Sequence, residues 1–158
     1  MAQYDQMSEI IRFSLDELDV ISRYLHEKEE NDDPTTVLIG GWAVDSYNPW
    51  FGSIDIDLIT NNSTRTSLIY YLRTNRDFKP YRLKGLPASV KKDTEAGPVI
   101  IDFASRNKPF RFEGLDATLD LSILDGNTET REIRGGIEMA VPNRATLLAA
   151  TLRIPPTR

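Results

Sequence analysis

The stretch Val37 to Thr60, VLIGGWAVDSYNPWFGSIDIDLIT, constrains the fold of this chain more than any other. Val37-Leu38-Ile39 is a short apolar run of strand type, and it stops at Gly40-Gly41. A helix is predicted over Trp42 to Tyr47, broken by Asn48-Pro49. The chain then re-enters a strand at Ser53 with strict alternation, Ile54, Ile56 and Leu58 on one face and Asp55 and Asp57 on the other. Residues two apart on a strand point the same way, about 6–7 Å between Cα atoms. Two ionised carboxylates that close repel each other, so the pattern is costly without a counter-charge. Mg²⁺ suits the place, because it favours one or two carboxylates together with water and phosphate oxygens.

A second carboxylate pattern lies downstream. The run Val99-Ile100-Ile101-Asp102-Phe103-Ala104 puts one charge inside an apolar strand. Such a charge is expensive unless it binds a cation or a strong donor. Asp120, in Thr118-Leu119-Asp120-Leu121, is its rival. An aspartate paired with an arginine is the purely structural alternative for either position. Lys91 and Lys92 precede the Asp102 strand and are expected to neighbour it, which makes them candidates for a phosphate contact.

Gly40, Gly41, Ser53, Asp55 and Asp57, with eleven residues between Gly41 and Ser53, together resemble the signature of the nucleotidyltransferase superfamily of polymerase-β type. The string IGGWAVDSYNPWFGSIDIDL is most similar to the small prokaryotic nucleotidyltransferases, abortive-infection toxin relatives included. It resembles more loosely the antibiotic nucleotidyltransferases, which open on a similar Gly-Gly-Trp. The resemblance implies an α/β (α+β) nucleotidyltransferase fold, a mixed sheet flanked by helices. It implies transfer of a nucleoside monophosphate from a nucleoside triphosphate to a hydroxyl of RNA or tRNA, a protein or a small molecule. Two Mg²⁺ ions, or Mn²⁺, come with that chemistry, and the toxin-type relatives imply an antitoxin partner. By the same resemblance Asp55, Asp57 and Asp102 are the catalytic metal ligands, and Asp102 also assists deprotonation of the acceptor. Gly40, Gly41 and Ser53 are the nucleotide-binding residues, joined by Lys91 and Lys92. A glycine pair at a helix start lets backbone N–H groups approach phosphate at the positive end of the helix dipole; the alternative is that the glycines only close a turn. The competing function is a nucleotide- or partner-binding module that keeps the fold without turnover.

At 158 residues the chain is expected to form one domain with a substantial core. Residues 1–34 supply an N-terminal helix, 35–141 the sheet and 142–158 a last helix. Many relatives carry a substantial helical extension after the sheet; here the chain ends at Arg158, as a minimal form or a trimmed one. No apolar run approaches the roughly 18 residues of a membrane span. The N-terminus lacks the basic start and apolar stretch of a signal peptide, so a cytoplasmic location is expected. With no cysteine, disulfides and thiolate chemistry are excluded. His26 is the sole histidine, read as a surface residue of the first helix, which leaves no Ser-His or His-cluster chemistry.

The net charge of −5 is unevenly spread. Residues 1–34 hold ten acidic and three basic side chains, a balance of −7; residues 65–92 hold eight basic side chains against Asp77, a balance of +7. An indiscriminate nucleic-acid binder is thereby disfavoured, while one local basic surface is allowed. That basic segment interleaves Tyr70, Tyr71, Phe78 and Tyr81, the combination a nucleotide or RNA requires, although a solvated helix face and a lysine-protected edge strand give the same composition.

Along the rest of the chain, Met7 to Glu30 predicts an amphipathic helix ended by Asn31-Asp32-Asp33-Pro34. Asn61-Asn62-Ser63 caps a second helix running to Asn75. Strands are expected at Phe78 to Lys84, Ser89 to Lys92, Pro98 to Ala104, Phe110 to Phe112 and Leu119 to Leu124. A hairpin across Gly135-Gly136 joins Glu129–Arg134 to Ile137–Val141, and a final helix runs from Arg144 to Arg153 before Pro155-Pro156.

Overall fold

The computed structural model describes residues 2–29, 35–49, 52–81, 88–106, 110–111, 118–119 and 121–153. Asp120, the helix stop at Asn31–Pro34, the end of the expected Phe78–Lys84 strand and Pro155-Pro156 lie outside the described residues.

Strict alternation of apolar side chains sets the layers. Nine strands are described: β1 (Val37–Ile39), β2 (Ile56–Thr60), β3 (Lys79–Pro80), β4 (Ala88–Thr94), β5 (Gly97–Ser105), β6 (Phe110–Arg111), β7 (Thr118–Leu119), β8 (Thr128–Ile133) and β9 (Ile137–Pro142). Four helices accompany them: α1 (Ala2–Lys28), α2 (Gly40–Tyr47), α3 (Asn62–Asn75) and α4 (Arg144–Arg153). Seven strands form one mixed sheet in the order β3-β4-β5-β2-β1-β9-β8, and β6 pairs with β7 apart from it. β2 runs parallel to β5, and β1 parallel to β9; the other neighbours in the large sheet are antiparallel.

One face of the sheet carries Leu38, Ile56, Leu58, Ile101, Phe103 and Met139, and side chains from all four helices close over it in a single cluster. Leu18 and Ile21 of α1, Trp42 of α2 and Leu68 and Leu72 of α3 are fully buried there. Trp42 satisfies its indole N–H by donating to Ser14 Oγ at 2.9 Å. Among the described residues the other face has only a small cluster, Val37, Ile59 and Ala104 under Leu124. This asymmetry positions the site, since Asp57 shares the face of Ile59, and Asp102 that of Ala104.

Among the described residues the expected elements form, α1 beginning at Ala2 rather than Met7 and α2 at Gly40 rather than Trp42, while three strands differ. β2 begins at Ile56 rather than Ser53, because the Ser53 hydroxyl turns back to donate to the Asp55 carbonyl at 2.9 Å. A local side-chain bond of that kind competes with a ladder, and β1 ends at the pairing of Ile39 with Asp57. The segment from Leu119 is a strand only as far as that residue; Leu121–Leu124 is a 3₁₀ turn that brings Leu124 onto the small cluster. The described part of the Phe78–Lys84 strand is Lys79–Pro80. Phe78 is instead a core side chain, and Pro80 has no N–H to extend a ladder. The expected cap forms, with Asn61 Oδ1 accepting the Thr64 N–H at 2.7 Å, and Asn143 Oδ1 accepts that of Thr146 at 2.9 Å at the start of α4. Gly135 and Gly136 take φ of 72° and 82° at the β8–β9 turn, where a side chain would be strained.

Candidate active site

The parallel register of β2 on β5 pairs Asp57 with Asp102. Their carboxyl groups hydrogen-bond each other on the sheet face away from the large core. Burial, with the neighbouring Asp102 charge and that hydrogen bond, pushes Asp57 up to about 7 from 3.8. Two adjacent carboxylates out of bulk water cannot both ionise at low cost, so Asp57 keeps its proton to higher pH. On the far side of Asp102, Ser89 of β4 stands opposite it and donates its hydroxyl to Oδ1 at 2.6 Å. Nothing in the sequence marks Ser89 as a site residue. Its strand is visible there, but its face depends on the β4–β5 register, which no local signal encodes.

Gly40 lies directly against this pair. With φ of +73°, the place a Gly40 side chain would occupy is filled by the Asp57 carboxylate. Gly41 is the contact of the other arm: a Cβ there would meet Ser53 Oγ at 2.6 Å and Ser53 Cβ at 2.8 Å. Both glycines therefore permit close approach at the start of α2, whose N-cap Ile39 makes no side-chain capping bond. The first N–H groups of a helix need an external partner. The loop bearing Ser53 and Asp55 is tied to α2 through the buried Asp45. Asp45 accepts from the Gly52 N–H at 3.1 Å and from both Arg134 Nη2 and Nε at 2.9 and 3.1 Å. A buried aspartate in GGWAVD could have signalled such a tie; its partner, about ninety residues away, could not be named from the sequence.

Among the residues singled out in the sequence, Gly40, Asp57 and Asp102 come together, and Gly41 and Ser53 pack against each other beside them. Asp55 lies on the approach to β2. Among the described residues no group of three or more His, Cys, Asp or Glu side chains is gathered to hold a metal ion. The two lysines separate. Lys91 shares the face of Ser89, whereas Lys92 points to the opposite face and binds Glu17 Oε1 at 2.8 Å. Alternation along β4 forces that split. Lys92 is thus not brought to the carboxylates.

The architecture can be compared with solved structures. TM1012 from Thermotoga maritima, an assigned nucleotidyltransferase, superposes with a TM-score of 0.50 at 16% identity, over 84% of this chain and 81% of that one. The antibiotic-resistance factor ANT(2'')-Ia superposes with a TM-score of 0.53 at 14% identity, over 90% of this chain and 76% of that one. The fold is that of the nucleotidyltransferases. The resemblance carried by Gly40, Gly41, Ser53, Asp55 and Asp57 and the three-dimensional likeness thus lead to the same fold. No family model and no curated protein sequence matches the chain. Among the described residues no helix is long and apolar enough to cross a membrane.

Proposed function

We propose that this protein transfers a nucleoside monophosphate from a nucleoside triphosphate to an acceptor hydroxyl, with Mg²⁺. The observation that carries the reading is the adjacent carboxyl pair Asp57–Asp102 lying against the uncapped, glycine-lined start of α2. The donor set fits a hard divalent cation, being all oxygen and holding a proton that a cation can displace. Asp57 and Asp102 would hold the metal, with Asp55 as the third carboxylate. Mn²⁺ could substitute for Mg²⁺, and two ions suit the chemistry. Bound there, the metal supplies charge neutralisation on the phosphates and a lower pKa at the attacking hydroxyl.

The chain's own groups have distinct tasks in this reading. The Gly40 and Gly41 amides and the Ser53 hydroxyl bind phosphate oxygens of the triphosphate. Asp102 accepts the proton of the acceptor hydroxyl, and Ser89 fixes the rotamer from which it does so. Lys91 lies on the correct face to meet anionic substrate; Lys92 does not, and its role is the ion pair with Glu17.

A second reading is a nucleotide- or partner-binding module without turnover. It is favoured by the absence, among the described residues, of a gathered trio of acidic side chains. The likeness to ANT(2'')-Ia favours a small-molecule acceptor such as an antibiotic, while the sequence resemblance favours RNA or protein, with a toxin role and an antitoxin partner.

Incubation with each triphosphate, Mg²⁺ and total RNA and protein extract, followed by mass analysis, tests transfer directly. The expected result is a nucleoside monophosphate adduct that Asp102→Asn fails to make while still binding the triphosphate. Tight triphosphate binding with no adduct on any fraction would establish the binding module instead.

A further inference from the structure

The basic segment divides between the two faces of the sheet, and the division indicates what the second substrate is. On the helical face Arg76 and Lys92 are neutralised, both binding Glu17 Oε1 at 2.8 Å. Among the described residues, Lys79 and Lys91 on the face of the Asp57–Asp102 pair are less well matched. Lys79 of β3 stands opposite Lys91 of β4, and like charges directly opposite on neighbouring strands destabilise a sheet. Lys91 Nζ lies 3.8 Å from Asp93, an exposed carboxylate, the single ion pair for these two lysines among the described residues. Tyr81 follows β3, donating its backbone N–H to the Ser89 carbonyl at 2.9 Å. Continuing the β3–β4 register sets Tyr81 beside Ser89, hence in line with Asp102 and Asp57, and Lys91 Nζ sits 5.1 Å from the centre of its ring.

We propose that Lys79, Tyr81 and Lys91 form a binding strip for a single-stranded polynucleotide, the acceptor whose hydroxyl is presented to Asp102. This rests on the transferase reading for the fate of the bound strand, though not for its binding. The strip lies on the opposite side of the carboxylates from α2: the order β3-β4-β5-β2-β1 places Asp102 and Asp57 between it and the glycine-lined helix start. With strands about 4.8 Å apart, β3 is roughly 10 Å from the strand of Asp102, a reach spanned by a few nucleotides of an extended strand. Triphosphate held at α2 leaves the strip for another ligand. Two cations that no carboxylate fully satisfies take phosphodiester oxygens, and a partly exposed aromatic ring takes a base by stacking. A protein acidic enough to meet the lysines would have no use for the ring.

Fluorescence anisotropy of a labelled single-stranded RNA of about 12 nucleotides, within the usual site size, titrated without triphosphate at several salt concentrations, tests the strip. Lys79→Ala/Lys91→Ala should weaken binding at least tenfold and flatten the salt dependence by about 1.4 in the log–log slope. Tyr81→Ala should weaken it roughly five- to one-hundred-fold with the slope unchanged, and Tyr81→Phe should bind as the parent does. Arg23→Ala, a change at an exposed α1 residue, should have no effect. Triphosphate binding should be unaltered in Tyr81→Ala, Tyr81→Phe and Arg23→Ala. Unchanged RNA binding in the lysine pair overturns the proposal, as does polyglutamate competing as well as RNA. A loss of triphosphate affinity in place of RNA affinity assigns the strip to the nucleotide and also overturns it. Absence of triphosphate binding in the parent, with RNA binding intact and sensitive to the strip, strikes the transferase reading and leaves the strip standing.

Discussion

Asp57 illustrates how a functional residue is recognised by its cost. Held at about 7 instead of 3.8, it binds a proton more tightly in the folded chain than in the unfolded one. That contribution is complete below about pH 4 and disappears as the pH rises through about 7. The metal-free protein should therefore lose stability across that window, each tenfold difference in proton affinity being worth about 1.4 kcal/mol. Asp57→Asn removes the dependence: in chelator, its melting temperature should match the parent near pH 4 and exceed it at pH 8, while Mg²⁺-dependent triphosphate binding is lost. Equal pH profiles for parent and variant would show that the carboxyl is not perturbed. Gly40 and Gly41 make the complementary case, in which nothing beyond hydrogen fits. Gly41→Val drives into Ser53 Oγ, so triphosphate affinity should fall at least tenfold, read by calorimetry on protein whose circular dichroism is native. A variant that simply unfolds would restrict Gly41 to shaping the turn.

Helices and strands are locked together here by two buried acidic groups. Glu17 of α1 reaches Arg76, just beyond α3, and Lys92 of β4, while Asp45 of α2 reaches Arg134 at the β8–β9 turn and the Gly52 N–H. Removing the shared partner of two cations leaves both uncompensated. Glu17→Ala should cost about 3 kcal/mol in urea unfolding, and Glu17→Gln less, since an amide oxygen still accepts one of the bonds. A loss near zero would mean that water fully replaces the ion pairs. Asp45 has a further consequence, because the loop it holds carries Ser53 and Asp55. Asp45→Asn keeps an acceptor for Gly52 but breaks the charge pair with Arg134. It should weaken triphosphate binding while leaving RNA binding at the β3–β4 strip as it was; parallel loss of both would make Asp45 a general stability residue.

Across the whole molecule, the carboxylate pair links metal binding to folding. A cation that binds only the native chain raises stability by about 2.7 kcal/mol at one hundred times its Kd. Mg²⁺ should accordingly raise the melting temperature of the parent at pH 8, have little effect near pH 5 where the pair keeps its proton, and leave Asp57→Asn unmoved. A pH-independent Mg²⁺ effect would put the ion elsewhere. Much of this protein is written locally in its chain. The alternation around Ile56 and Leu58, the caps at Asn61 and Asn143, and the Gly135-Gly136 turn each depend on neighbours within a few residues. The glycine pair and the aspartates of β2 and β5 are legible for the same reason, being runs whose chemistry conflicts with their apolar surroundings. Which side chains meet is another matter, settled by how the strands pair. The β2–β5 register joins Asp57 to Asp102 and leaves Asp55 on the approach to β2. β4 turns Lys91 toward them and Lys92 away, and makes Ser89 a partner of Asp102. Strand pairing brings together residues distant in the chain, and a slip of one position would reverse every one of those faces.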